Sequence, residues 1–206
     1  MDTDIRYDEA RRKAFRYDTQ DGLLEFLAGV MFFFIARAVQ EPHLAWAPAL
    51  LVFPMRWALR FFKERYTWPR VGYVKLRNEE TGAEMGRGML LYLAAVVFVL
   101  GVALSSFGDV TSWDHWMRWM PALVGGFCSG AFLYLANRSG YPRYFGLFAV
   151  CLAWGIACSL MDTPTVYAGI ARWAVGFGLV CILTGVAVFV MFVRNHPVRS
   201  EEAADA

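Results

Sequence analysis

Residues 168–193 read AGIARWAVGFGLVCILTGVAVFVMFV, an apolar run broken by a single charge, Arg172. As an α-helix rising about 1.5 Å per residue, a run of this length exceeds the roughly 30 Å hydrocarbon thickness of a bilayer. The run is apolar on every face, whereas a strand of a membrane barrel would alternate apolar and polar positions over about ten residues. It therefore reads as a membrane-spanning helix. Five further stretches read the same way: 22–39, 45–62, 89–107, 116–136 and 144–160. The 45–62 stretch is the least regular, because Arg56 and Arg60 interrupt its second half. The expected fold is an all-α membrane protein, a six-transmembrane-helix bundle filling residues 22–193.

Composition agrees and removes the alternatives. Of 206 residues, 58% are hydrophobic and 18% charged, against about 45–50% and about 25% for a soluble domain. Mean hydropathy is +0.39. An aromatic share of 17% excludes a disordered chain. Four cysteines in 23.3 kDa are too few for a disulfide scaffold. A net charge of +2 offers no basic excess for a nucleic acid, which is not among the expected partners.

Lysine and arginine set the orientation. Arg6, Arg11, Arg12, Lys13 and Arg16 precede the first span, and Lys63, Arg65, Arg70, Lys75, Arg77 and Arg87 follow the second. Arg138 and Arg143 follow the fourth, and Arg194 and Arg199 the sixth. The alternate connections, around Glu41, Asp109 to Asp114 and Asp162 to Thr165, contain neither residue type. Bases collect on the cytoplasmic side, so both termini are expected there. Three arginines, Arg37, Arg118 and Arg172, lie just inside the outer ends. They admit two readings: interfacial ion pairs with Glu41, Asp109, Asp114 and Asp162, or a substrate-facing ring.

The polar parts are a segment 1–21, a cytoplasmic loop 63–88 and a tail 194–206. The first 21 residues mix six acids with five bases and hold no apolar core, so no cleavable leader is expected. Tyr7, Ala10, Ala14 and Tyr17 fall on one helical face flanked by Arg12, Lys13 and Arg16, the pattern of a helix lying on anionic lipid headgroups. Asp18 or Asp21 is placed to cap the first span. In the loop, Val71, Tyr73 and Val74, then the turn-forming Asn78 to Gly82, outline a short β-hairpin. Such a hairpin is marginal alone, which makes Arg12, Arg16, Arg70, Tyr73 and Lys75 candidate residues for docking lipid or a protein partner. Association with a second copy is also open. Outside, Trp113, Trp116 and Trp119 at three-residue spacing describe an interfacial aromatic belt.

Arg65-Tyr66-Thr67-Trp68-Pro69-Arg70 and Arg138-Ser139-Gly140-Tyr141-Pro142-Arg143 share a pattern, echoed by Arg194 to Arg199. Duplicated hairpins or similar helix-end chemistry both produce it. The stretch Tyr66 to Val74, with Arg11 to Tyr17 and Asp21-Gly22-Leu23, resembles a group of bacterial polytopic integral membrane proteins with no assigned activity. The resemblance covers the N-terminal third. It implies a bacterial inner (plasma) membrane and supplies no site residues.

Within the spans, two ionisable residues stand out: Glu25, near the cytoplasmic end of the first, and Arg56 in the second, near Pro54. They are expected to meet as an ion pair between adjacent helices, with a cation or proton site at Glu25, or simple snorkelling of both side chains, as the alternatives. No catalytic residue, metal site or cofactor is expected. His43, His115 and His196 are scattered, no Cys-x-x-Cys or His-Glu-x-x-His occurs, and Cys128, Cys151, Cys158 and Cys181 sit where packing explains them. Gly126 with Gly130, Gly125 with Ser129 and Ala174 with Gly178 are small-residue pairs suited to close helix contact. Two classes remain: a non-catalytic accessory, assembly or regulatory membrane component, or a small-solute or ion transporter using Glu25 and Arg56. A packed interior between the fourth and sixth spans favours the first, and a polar passage there the second.

Overall fold

The computed structural model describes residues 15–17, 19–44, 46–71, 92, 97, 101 and 113–197. Among these residues the chain is helical and contains no strand. Helix α1 is Leu23–Gln40 and α2 is Ala47–Phe62. A π-helical turn, Lys63–Thr67, leads into α3, Trp68–Val71. After α4, Trp113–Arg118, come α5 (Met120–Ser139), α6 (Pro142–Leu160) and α7 (Val166–Asn195).

Four of these helices, α1, α5, α6 and α7, are long and apolar enough to cross a membrane. The expected second span is shorter: α2 has 16 residues, and Arg56 and Arg60 on it are exposed. Most of the expected third span lies outside the described residues, although Tyr92, Val97 and Gly101 within it are helical. The expected hairpin 71–85 also lies outside them, apart from Val71, which ends α3. The front of that loop, from Glu64 to Val71, is helical instead, because α2 runs straight into the π turn without a stop signal.

Glycine decides how the helices cross. Gly22, at the start of α1, has φ 73°, the left-handed region that a side chain disfavours. A Cβ there would lie 2.6 Å from the Gly185 carbonyl oxygen of α7. Seven residues further along α1, a Cβ on Gly29 would lie 2.6 Å from the Gly178 oxygen, seven residues back along α7. Helices α1 and α7 are therefore antiparallel and touch backbone to backbone at two points. Helices α5 and α6 do the same at Gly125, whose Cβ would lie 3.3 Å from the Gly155 Cα. In lipid, where apolar burial gives helices little reason to associate, such close approach supplies the attraction.

Between the two pairs lies an aromatic core. Phe32 of α1 meets Trp173 and Phe177 of α7 edge-on, at centroid distances of 5.4 and 5.2 Å. Phe132 of α5 meets Phe177 at 5.4 Å. Trp173, Phe177 and Tyr144 are fully buried. Tyr92 seats its ring on Gly130, and its hydroxyl bonds Ser129 Oγ (2.6 Å) and the Gly126 oxygen (3.0 Å), which ties that residue to α5.

A candidate functional site at the basic end of the bundle

Residues 15–17 and 19–21, the α2–α3 turn, the α5–α6 turn and the end of α7 gather at one end of the bundle. Two buried acids organise them. Asp21, 0% exposed, accepts from the Leu23 N–H through Oδ1 (3.2 Å) and from the Thr67 hydroxyl through Oδ2 (2.9 Å). It thus satisfies one of the free N–H groups at the start of α1, as expected of it, and also fastens the turn after α2.

Glu25, 1% exposed, lies one turn into α1. Its cation is Arg143, the second residue of α6, with Nε 2.9 Å from Oε1. Arg56, the partner expected from sequence, is exposed, and among the described residues no ion pair joins it to Glu25. The choice of Arg143 has a physical reason. A cation in the first turn of a helix opposes the helix dipole, so a buried arginine there needs an acid. Arg143 also donates to the Thr19 carbonyl oxygen and, through Nη2, to the Tyr144 hydroxyl at 3.2 Å. Its guanidinium lies 4.8 Å from the ring centre of Tyr141 and 5.0 Å from that of Tyr144.

Arginines complete the enclosure by meeting the carbonyls that a helix leaves free at its end. Arg16 Nε donates to the Ser139 oxygen at the end of α5 (3.1 Å) and faces Tyr141 from 5.3 Å. Arg70 Nη1 donates to the His196 oxygen (2.6 Å) and the Val193 oxygen (3.3 Å) at the end of α7. Two expected docking residues thus hold helix ends; Arg12, Tyr73 and Lys75 lie outside the described residues. The Tyr141 hydroxyl donates to the Arg16 oxygen at 3.4 Å. Burial pushes its pKa above the usual phenol value, more than the nearby Arg143 and Arg16 lower it, so it keeps its proton at neutral pH.

The opposite end is simpler. Arg37 pairs with Glu41, which also faces His43 Nε2 at 3.4 Å. Arg118 reaches Asp162 at 3.2 Å and donates to the Ser159 and Leu160 oxygens at the end of α6. Ser159 Oγ in turn accepts from the Ala122 N–H in the first turn of α5 (3.0 Å).

Sequence reasoning singled out Glu25 and Asp21 but counted Arg143 only as a loop charge. The signal available was its position directly after Pro142, where a cation is disfavoured unless paired. Among the described residues no group of three or more His, Cys, Asp or Glu side chains is placed to hold a metal ion. The two full copies of the Arg-x-x-aromatic-Pro-Arg pattern differ in structure. One makes a stop and restart, with Gly140 at φ 70° ending α5 and Pro142 opening α6, while the other continues as a π turn into α3. Comparison with protein families, curated proteins and solved structures finds no match.

Proposed function

We propose that this chain is a non-catalytic membrane component, with the Glu25–Arg143 end in the cytoplasm, that docks lipid or a partner protein through that end. The observation carrying this reading is the joining of four separate segments to one buried charge cluster. Arg16, Arg143 and the neighbours Thr67 and Arg70 come from three segments far apart in sequence, and each fixes another segment to the bundle. Such cross-bracing makes a rigid basic platform. The bias of basic residues supports a cytoplasmic position for it, and the N-terminal resemblance supports a bacterial inner membrane.

Support also comes from the interior between α5 and α7, where Phe132 against Phe177 and Gly125 against the Trp173 indole leave apolar packing instead of polar lining. A transport path needs convergent polar groups there. Glu25 has its charge answered by Arg143, which favours a structural ion pair over a transported cation or proton.

Affinity purification from native membranes in mild detergent tests the reading. A stoichiometric protein companion or retained anionic lipid that is lost on charge reversal of exposed basic-end arginines is the expected result. A lone species that moves a solute or ion in proteoliposomes overturns it.

A further inference from the structure

The outer end holds three arginines, and two are answered: Arg37 by Glu41, Arg118 by Asp162 and two carbonyls. Arg172 has no acidic partner among the described residues: its neighbours there are Met161 Sδ at 3.7 Å, a weak acceptor, and the Cys158 thiol, on which it acts electrostatically. It is exposed in the second turn of α7, about 9 Å along the axis from the start of the helix. An exposed guanidinium set among apolar side chains, with no acid beside it among the described residues, leaves its donors open to an anion from outside the chain.

The same guanidinium lines a groove of about 400 Å³, within the usual range of ligand sites. Gln40, at the end of α1, and Arg172 are its polar members, and Trp154, Ala171, Val175 and Gly176 give it an apolar wall. Gly176 is needed for that shape, since a side chain there would strike the Trp154 indole. The indole N–H beside the groove is buried and has no acceptor among the described residues. Hydrogen-bond donors with no strong acceptor among the described residues therefore border an apolar trough at this end of the bundle.

We infer that this groove is a binding site for one membrane phospholipid whose head carries a net negative charge. The phosphodiester takes the Arg172 guanidinium and the Gln40 amide, and an acyl chain lies along Val175 and Trp154. An anionic head matches the unanswered cation, and a hydrocarbon tail matches the wall; a soluble anion matches only the first. The site is at the end of the bundle opposite the charge cluster and stands independently of the proposed function.

Fluorescence quenching in nanodiscs tests it. Phosphatidylglycerol with brominated chains, doped into phosphatidylcholine, is compared with phosphatidylcholine brominated in the same way. The signal is the emission lost on Trp154→Phe. The brominated phosphatidylglycerol is expected to half-quench that signal at about a tenfold lower mole fraction, the effect of one charge-assisted hydrogen bond. Arg172→Gln removes the preference and Arg172→Lys keeps most of it. Equal quenching by the two lipids, or a preference that survives Arg172→Gln, overturns the site. Competition by inorganic phosphate assigns the groove to a soluble anion and overturns the lipid. If Arg172→Gln does not fold, Gln40→Ala decides: a weakened preference for phosphatidylglycerol in the Trp154 signal supports the site, and an unchanged preference overturns it.

Discussion

At the scale of single residues, the Glu25–Arg143 pair is the most consequential contact in the molecule. Glu25 is 1% exposed and the Arg143 side chain 24% exposed, so both charges have left most of their water. Breaking such a pair leaves a buried charge unanswered, at a cost of about 3–5 kcal/mol. The residual exposure of Arg143 places Glu25→Ala at the low end, near about 3 kcal/mol. Thermal unfolding in detergent should show that loss. The double variant Glu25→Ala with Arg143→Met should recover most of it, because removing both charges removes the uncompensated one. Additive losses would mean that the two side chains act separately. Tyr141→Phe is a milder change, deleting the bond to the Arg16 oxygen but keeping the ring under two guanidiniums. A loss of about 0.5–1.5 kcal/mol is expected. Its effect should be flat across neutral pH, since the raised pKa of the phenol keeps the wild-type group protonated there.

Elements are held by two devices, close glycine contact along their lengths and arginine at their ends. The first predicts a sharp contrast between glycines in this bundle. Gly29→Ala puts a methyl group 2.6 Å from the Gly178 oxygen, backbone that cannot yield without separating α1 from α7. About 1–3 kcal/mol of destabilisation should follow. Gly146→Ala on α6 meets nothing within 4 Å and should leave the melting temperature unchanged or slightly raised. Equal effects would show that α1 and α7 do not cross where described. Much of this was legible beforehand only as a class of device. Ala174 with Gly178 marked a small face on α7, yet nothing local said that its partner was Gly29, because helix phase and crossing point are tertiary quantities. The missing partner of Glu25 has the same cause. A short connection makes α1 and α2 neighbours, which pointed to Arg56, but chain order does not fix which face of α2 turns inward. Arg143 was found by the fold, which brings the start of α6 beside the start of α1, the two helices running in the same direction.

Taken whole, the molecule has two unlike ends joined by an apolar middle, and hydropathy made that much readable. Among the described helices four meet the length and composition of a membrane span, while α2, at 16 residues, is too short. The ends are unlike in how they treat charge. One buries Asp21 and Glu25 beneath arginines drawn from distant segments, whereas the other sets exposed pairs such as Arg118 with Asp162 over the turns. A cross-braced end resists deformation, and an end of exposed pairs contributes little stability, about 0–1 kcal/mol per pair. High salt should therefore leave the melting temperature nearly unchanged, because buried pairs are weakly screened and the exposed ones matter little. The same asymmetry predicts orientation. A reporter that fluoresces only in the cytoplasm, joined to the full-length C-terminus, should be bright, and so should one inserted at Gly140. A phosphatase active only outside the cytoplasm should work when inserted at Thr163, in the turn between α6 and α7. Activity at Gly140 instead would place the charge cluster on the outer face. The arginines that brace it would then contradict the cytoplasmic bias of basic residues, leaving helix capping as the sole reason for their number at that end.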